Sequence, residues 1–162
     1  MEKWQQLMTE LKEERKTFDN SESEKIFGAI CIDYSAVQAK VNNKYDSWHT
    51  EIMNKFAETT NENLKSFYTK ITEAKTKLEN SNLENLNTDI IECITDIQEI
   101  KKNMNNWKND LTRYKNCKNI LEKQKYRFSN DFIDMDKVES EWSKLQQILE
   151  KKCKLTEEQI PT

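Results

Sequence analysis

Gly28 is the only glycine in this chain of 162 residues, and Pro161 is the only proline. Tight turns, β-hairpins and phosphate-cradling loops use residues that reach positive φ or preset it. Two such residues do not supply a β fold, a dinucleotide fingerprint or a nucleotide-binding loop. The expected fold class is therefore all-α. The expected architecture is an elongated helical bundle built on a long antiparallel helix hairpin, with shorter flanking helices and connections of Asn, Asp and Ser.

Charged residues make up 34% of the chain and hydrophobic residues 35%, which is lean for a compact globule. A lean core suits a bundle in which each helix buries one stripe and wets the rest. The net charge of −3 argues against a nucleic-acid groove, and the basic residues are mostly Lys, with Arg only at positions 15, 113 and 127. Cys31, Cys93, Cys117 and Cys153 are scattered and form no Cys-x-x-Cys pair, so reduced thiols are expected instead of zinc or disulfides. No apolar run approaches the roughly 18 residues that span a bilayer. A cytosolic protein with no membrane insertion is the expectation.

Apolar spacing sets the elements. Trp4, Leu7, Met8, Leu11 and Phe18 share one helical face from about Glu2 to Phe18. Ile26 to Ile32 is a short apolar patch around Gly28, too short to assign by period, and reads as a buried connector. Asp33 fits the N-cap of the next helix. Val37, Val41, Tyr45 or Lys44, Trp48, Ile52, Phe56, Leu64, Phe67, Ile71 and Leu78 then continue in steps of three and four, with a polar interval at Ala57–Asn63. This predicts one helix about 70 Å long, ending at Asn80–Asn82. Thr88 or Asp89 caps a third helix, whose seam includes Ile90, Ile94, Ile97, Ile100, Met104, Trp107, Leu111, Tyr114 and Leu121, with Lys118 as a polar interruption. Ile100, Trp107, Tyr114, Leu121 and Phe128 are each seven apart, and a repeat of 3.5 residues marks a coiled-coil seam. The two long helices are expected to zip antiparallel through Val37–Ile71 and Ile97–Leu121. Asp134 or Asp136 starts a last helix with Val138, Trp142, Leu145 and Leu149 on its face. One bundle segment over 1–155 and a frayed tail from Thr156 to Thr162 complete the expected layout.

Chemistry-bearing residues are sparse. His49 is the single histidine and reads as a groove or surface residue, because a metal or a Cys–His pair needs partners the spacing does not provide. No catalytic residue, cofactor-binding residue or metal ligand is expected. Trp4, Trp48, Trp107 and Trp142 each fall on an apolar stripe, as core residues or as partner anchors, Trp4 being the first choice for an anchor.

Two stretches carry a resemblance. The first is Ile26-Phe27-Gly28 followed by Ile32-Asp33-Tyr34-Ser35-Ala36-Val37-Gln38-Ala39-Lys40-Val41-Asn42-Asn43-Lys44-Tyr45-Asp46-Ser47-Trp48-His49. The second is Ile120-Leu121-Glu122-Lys123-Gln124-Lys125-Tyr126-Arg127-Phe128, then Asp131-Phe132-Ile133, Asp136 and Val138-Glu139-Ser140-Glu141-Trp142-Ser143. With roughly seventy residues between them, these resemble the cytoplasmic dynein heavy chain from about Ile26 to Lys152. The chain departs from that family at Ser129, where proline is usual, at Phe132, where tryptophan is usual, and at Ser140, where glycine is usual.

The resemblance implies a piece of the tail, just before the linker, of a minus-end-directed microtubule motor driven by ATP. It implies as partners the neighbouring bundles and linker of the same heavy chain. Other dynein subunits, dynactin and cargo adaptors are implied only through the wider tail. A structural, force-transmitting role follows, with Trp48, Trp107, Tyr126, Phe128, Phe132 and Trp142 as structural residues. Tyr126, Phe128, Phe132 and Ile133 are expected to plug the bundle end and fix the last helix, at about 3–5 kcal/mol for each fully buried Phe. The alternative is a spectrin-like or coiled-coil scaffold unrelated to motors. A homodimer is expected if the Trp4 and Val138–Leu149 stripes stay exposed.

Overall fold

A computed structural model of the chain describes residues 2–19, 22–81 and 88–159. The described elements run α1 (Glu2–Asp19), β1 (Glu24–Phe27), β2 (Ile30–Asp33), α2 (Ser35–Asn80), α3 (Thr88–Lys123) and α4 (Met135–Gln159). The helices match the apolar spacing, and the fold is all-α apart from one small hairpin. Two compact units divide it, Met1–Thr59 and Thr60–Thr162, where the sequence suggests a single segment over 1–155. The α2 helix runs through the boundary, which falls in the polar interval at Ala57–Asn63.

In the first unit, α1 runs antiparallel to the start of α2. The Trp4 and Phe56 rings lie 5.7 Å apart at one end, and Arg15 pairs with Asp46 toward the other. The buried apolar residues are Met8, Met53, Phe56 and Ala57. Between the helices stands the β1–β2 hairpin, antiparallel, with Phe27 opposite Ile30 and Glu24 opposite Asp33. Gly28 sits at φ +61° as the first residue of the two-residue turn, the position where a type II′ turn demands glycine. A single glycine was enough for one hairpin. The Tyr34 N–H donates to the Ser23 carbonyl at 2.7 Å and extends the ladder. Asp33 then caps α2 by accepting from the Ser35 N–H at 2.8 Å.

The expected buried connector at Ile26–Ile32 is corrected here: all eight strand residues are exposed. The two-residue side-chain period splits the apolar run over two faces, Ile26 and Cys31 on one, Phe27, Ile30 and Ile32 on the other. Val37, 57% exposed, is likewise not part of a buried seam.

The second unit is a three-helix core. Phe67 meets Tyr114 at 5.7 Å while Cys93 donates to the Ser81 hydroxyl, so α2 and α3 are antiparallel. Lys65 reaches Asp131, Lys75 reaches Glu141 and Lys152 reaches the Ser81 carbonyl, so α4 follows α2 in parallel. One buried cluster joins Leu64, Phe67, Ile71 and Leu78 to Ile97, Ile100 and Leu111 and to Val138, Trp142 and Leu145. The expected pair of rods is thus a triple, with α4 filling the third side. Cys93 and Cys117 are buried, and Cys117 occupies the seam beside half-buried Lys118. The Val138–Leu149 stripe lies in this core, so it offers no dimer surface. Trp4 packs on Phe56 and is half-buried.

The α4 helix continues to Gln159, and buried Thr156 donates to the Lys152 and Cys153 carbonyls. Fraying from Thr156 is not found over 156–159, and residues 160–162 lie outside the described residues. So do Asn82–Asn87 of the expected connection and the side chains of the expected caps Thr88 and Asp89.

Candidate functional site at the joint between α3 and α4

The joint begins where α3 stops. The Tyr126 N–H donates to the Leu121 carbonyl at 3.0 Å and the Lys125 N–H to the Glu122 carbonyl at 2.9 Å. This nested pair is the Schellman stop, which needs a left-handed residue at the position held by Lys125, at φ 56°. Glycine is the usual occupant. A lysine there carries the cost of a crowded Cβ, about 1–2 kcal/mol.

The chain then turns, with the Phe132 N–H donating to the Ser129 carbonyl at 3.0 Å. Asn61 of α2 grips the turn from the side. Its amide nitrogen donates to the Asp131 carbonyl at 3.2 Å, and its amide oxygen accepts from the Ile133 N–H at 2.9 Å. Lys65, one turn further along α2, pairs with the Asp131 carboxylate at 2.7 Å. Asp134 caps α4, accepting on Oδ1 from the Asp136 N–H at 3.1 Å and on its carbonyl from the Val138 N–H at 3.3 Å. Asp134, not Asp136, is therefore the start signal.

Three of the sequence candidates meet here. Tyr126 and Phe128 are edge-on at 5.5 Å, and Phe128 and Phe132 at 4.8 Å. All three are half-buried, and Phe132, with Ile133, packs against the buried core. Trp142 lies deeper, 6% exposed, with its ring 6.2 Å from Phe67. Trp107 is half-buried and lines a groove of about 160 Å³ between α2 and α3, beside Lys70, Asp96 and Glu99. Trp48 belongs to the first unit, is 42% exposed, and has Tyr45 edge-on at 5.6 Å and the Lys44 ammonium 5.6 Å over its ring.

Asn61 is the residue that sequence reasoning missed. Its only signal was negative: a polar interval in an otherwise apolar stripe.

Electrostatics tie α4 to its neighbours. Glu141 accepts from Lys75 at 2.7 Å and from Lys144 at 2.9 Å. Those hydrogen bonds, Lys75's first, hold the Glu141 carboxyl below its ordinary range, and the same bond holds the Lys75 ammonium above its own. Lys115 pairs with Glu139 at 3.0 Å on the α3 side. Burial pushes the Cys117 thiol and the Tyr114 hydroxyl up, away from their charged forms. For the Cys117 thiol this is the reverse of the shift that makes a nucleophilic thiolate.

Among the described residues, no group of three or more His, Cys, Asp or Glu is placed to hold a metal ion. No helix among them is long and apolar enough to cross a membrane. The joint's hydrogen bonds fix the direction in which α4 leaves α3.

No protein-family model matches the chain. Individual proteins do. The cytoplasmic dynein heavy chain of Dictyostelium discoideum is 40% identical over 162 residues, 99% of this chain and 3% of that protein. The heavy chain of Paramecium tetraurelia is 42% identical over 160 residues, 99% of this chain and 4% of that protein. That of Drosophila melanogaster is 35% identical over 158 residues. The chain thus spans only 3–4% of the length of these relatives. Matched along nearly all of its own length, it belongs to the cytoplasmic dynein heavy chain family, as the counterpart of one short stretch of those proteins.

Proposed function

We propose that this segment is a non-catalytic structural piece of the tail of a dynein heavy chain, positioned before the linker, that passes force between its neighbours. The observation carrying this reading is the clamped joint. A Schellman stop, the two-bond grip of Asn61 and the Asp134 cap hold α4 against a shared three-helix core. Helices with internally satisfied backbones and an interlocked core resist bending and sliding, which suits a strut. The parent would be a minus-end-directed, ATP-driven microtubule motor that carries cargo, working in the cytoplasm on the cytoskeleton. Its immediate partners would be the adjoining bundles and linker of the same heavy chain. Other dynein subunits, dynactin and cargo adaptors would engage the wider tail. An unrelated spectrin-like scaffold shares the helical core but has no reason to match dynein heavy chains at 40% identity from end to end.

The test uses the full heavy chain carrying Asn61→Ala together with Phe132→Ala. Microtubule-stimulated ATP turnover should stay at the parent level while stall force drops. Parent-level stall force in a variant whose joint is loosened by protease mapping would remove the strut.

A further inference from the structure

The β1–β2 hairpin is incomplete as it stands. A two-stranded hairpin is marginally stable in water, and three strands or a packed partner are needed for lasting order. Here both faces are open: Ile26 is 72% exposed, Phe27 52%, Ile30 65% and Ile32 39%.

The backbone phase tells which groups are unused. In an antiparallel ladder, opposed residues alternate between pairs that exchange hydrogen bonds and pairs whose N–H and C=O point outward. The Tyr34-to-Ser23 bond makes that pair a bonded one. Counting along the register, Lys25–Ile32 and Phe27–Ile30 are bonded, while Glu24–Asp33 and Ile26–Cys31 point outward. The two edges differ. On β1 the edge carries Glu24 and Lys25, charges of the kind that discourage further pairing. On β2 the run Ile30-Cys31-Ile32 has no charge and no proline, and the strand's one charge, Asp33, is turned to the Ser35 N–H at the start of α2.

We infer that β2 receives a third strand, pairing with the outward backbone groups of Cys31 and Asp33, and that this strand comes from elsewhere in the same heavy-chain polypeptide. Side-chain chemistry defines it: β-branched or aromatic residues on the face of Phe27, Ile30 and Ile32, and a basic residue on the opposite face near the acidic pair Glu24 and Asp33. The source follows from size. Four exposed apolar side chains offer roughly a few hundred Å², short of the roughly 800 Å² per partner that a stable complex of separate chains buries. A tethered strand needs far less, because its effective concentration is already in the millimolar range. The matched heavy chains have more than nine-tenths of their length outside this stretch, which provides the tether. The inference rests on the heavy-chain reading but not on force transmission.

Hydrogen exchange of the peptide covering Ile30–Tyr34 tests it, in the chain of residues 1–162 and in the full-length heavy chain purified without other subunits. Exchange should be slower in the full heavy chain by roughly tenfold or more, at every protein concentration. Cys31→Pro removes an outward N–H while leaving the β1–β2 bonds in place, so it should abolish the extra protection at Asp33 and leave the 1–162 chain unchanged. Equal exchange in the two proteins would overturn the inference. So would protection that fades on dilution, which indicates a second copy, or protection that appears only with other subunits present. Stall force, measured on the same Cys31→Pro heavy chain, separates the two ideas: its loss bears on the strut, and its retention leaves the hairpin result to stand alone.

Discussion

Residues 1–59 and 60–162 are written in the same helical style but are finished to different degrees. In the second unit one core is enclosed: Leu64, Ile71, Leu78, Leu121, Val138 and Leu145 are each fully buried, and Ile91 is the large apolar side chain left exposed among the described residues. In the first unit, the buried apolar residues are Met8, Met53, Phe56 and Ala57, while Leu7, Val37, Trp48 and the hairpin tip face outward. Three helices enclose a core, whereas two helices share only one seam. The lesson is that periodicity reveals which side of a helix wants cover, and only tertiary structure reveals whether cover is there.

The largest expected effect falls in the enclosed unit. Leu145→Ala should destabilise residues 60–159 by about 3–4 kcal/mol, read by chemical denaturation, because a fully buried leucine leaves a cavity. Val37→Ala, at 57% exposure, should change stability by less than about 0.5 kcal/mol. Equal losses at the two sites would erase the distinction between the units. Next comes Asn61→Ala, which leaves the Ile133 N–H and the Asp131 carbonyl without their amide partner and should cost about 1–3 kcal/mol. Proteolysis within 126–134 should rise in that variant. Phe132→Ala should cost about 1–2 kcal/mol, less than for a fully buried ring, because the side chain is half-exposed. Lys125→Gly has the opposite sign. It relieves a left-handed lysine and should raise stability by about 1 kcal/mol.

The smallest effect is acid sensitivity. Glu141 titrates below its ordinary value when folded, so the stability it contributes is present above about pH 4.3 and is lost as pH falls through the lowered value. Glu141→Gln should flatten the melting temperature between pH 5 and pH 3 relative to the parent.

Much of this was legible from residue order. Long unbroken spacing placed α2 almost to the residue, since no glycine or proline interrupts it, whereas the seven-residue repeat carried the α3 seam on to Phe128, past the stop at Lys123. Asp33 announced the start of α2, and the aromatic run Tyr126–Phe132 announced the joint. The hairpin was not legible because four-residue strands are shorter than any window that separates periods. Its exposure was hidden for a second reason: an apolar run reads as buried unless its faces are known. Asn61 was hidden because its partners lie 70 and 72 positions away. Cys93 and Cys117 were weighed for metal and redox chemistry, whereas burial makes them small apolar seam residues.

Native-state hydrogen exchange across residues 2–159 of the isolated chain probes the contrast most directly. Amides of Leu64–Leu78, Ile97–Leu121 and Val138–Leu149 should open together, with protection near the global stability, while those of α1, the hairpin and residues 35–55 exchange faster and separately. Uniform protection from α1 through α4, opening as one cooperative block, would contradict the division into a closed core and an unfinished one.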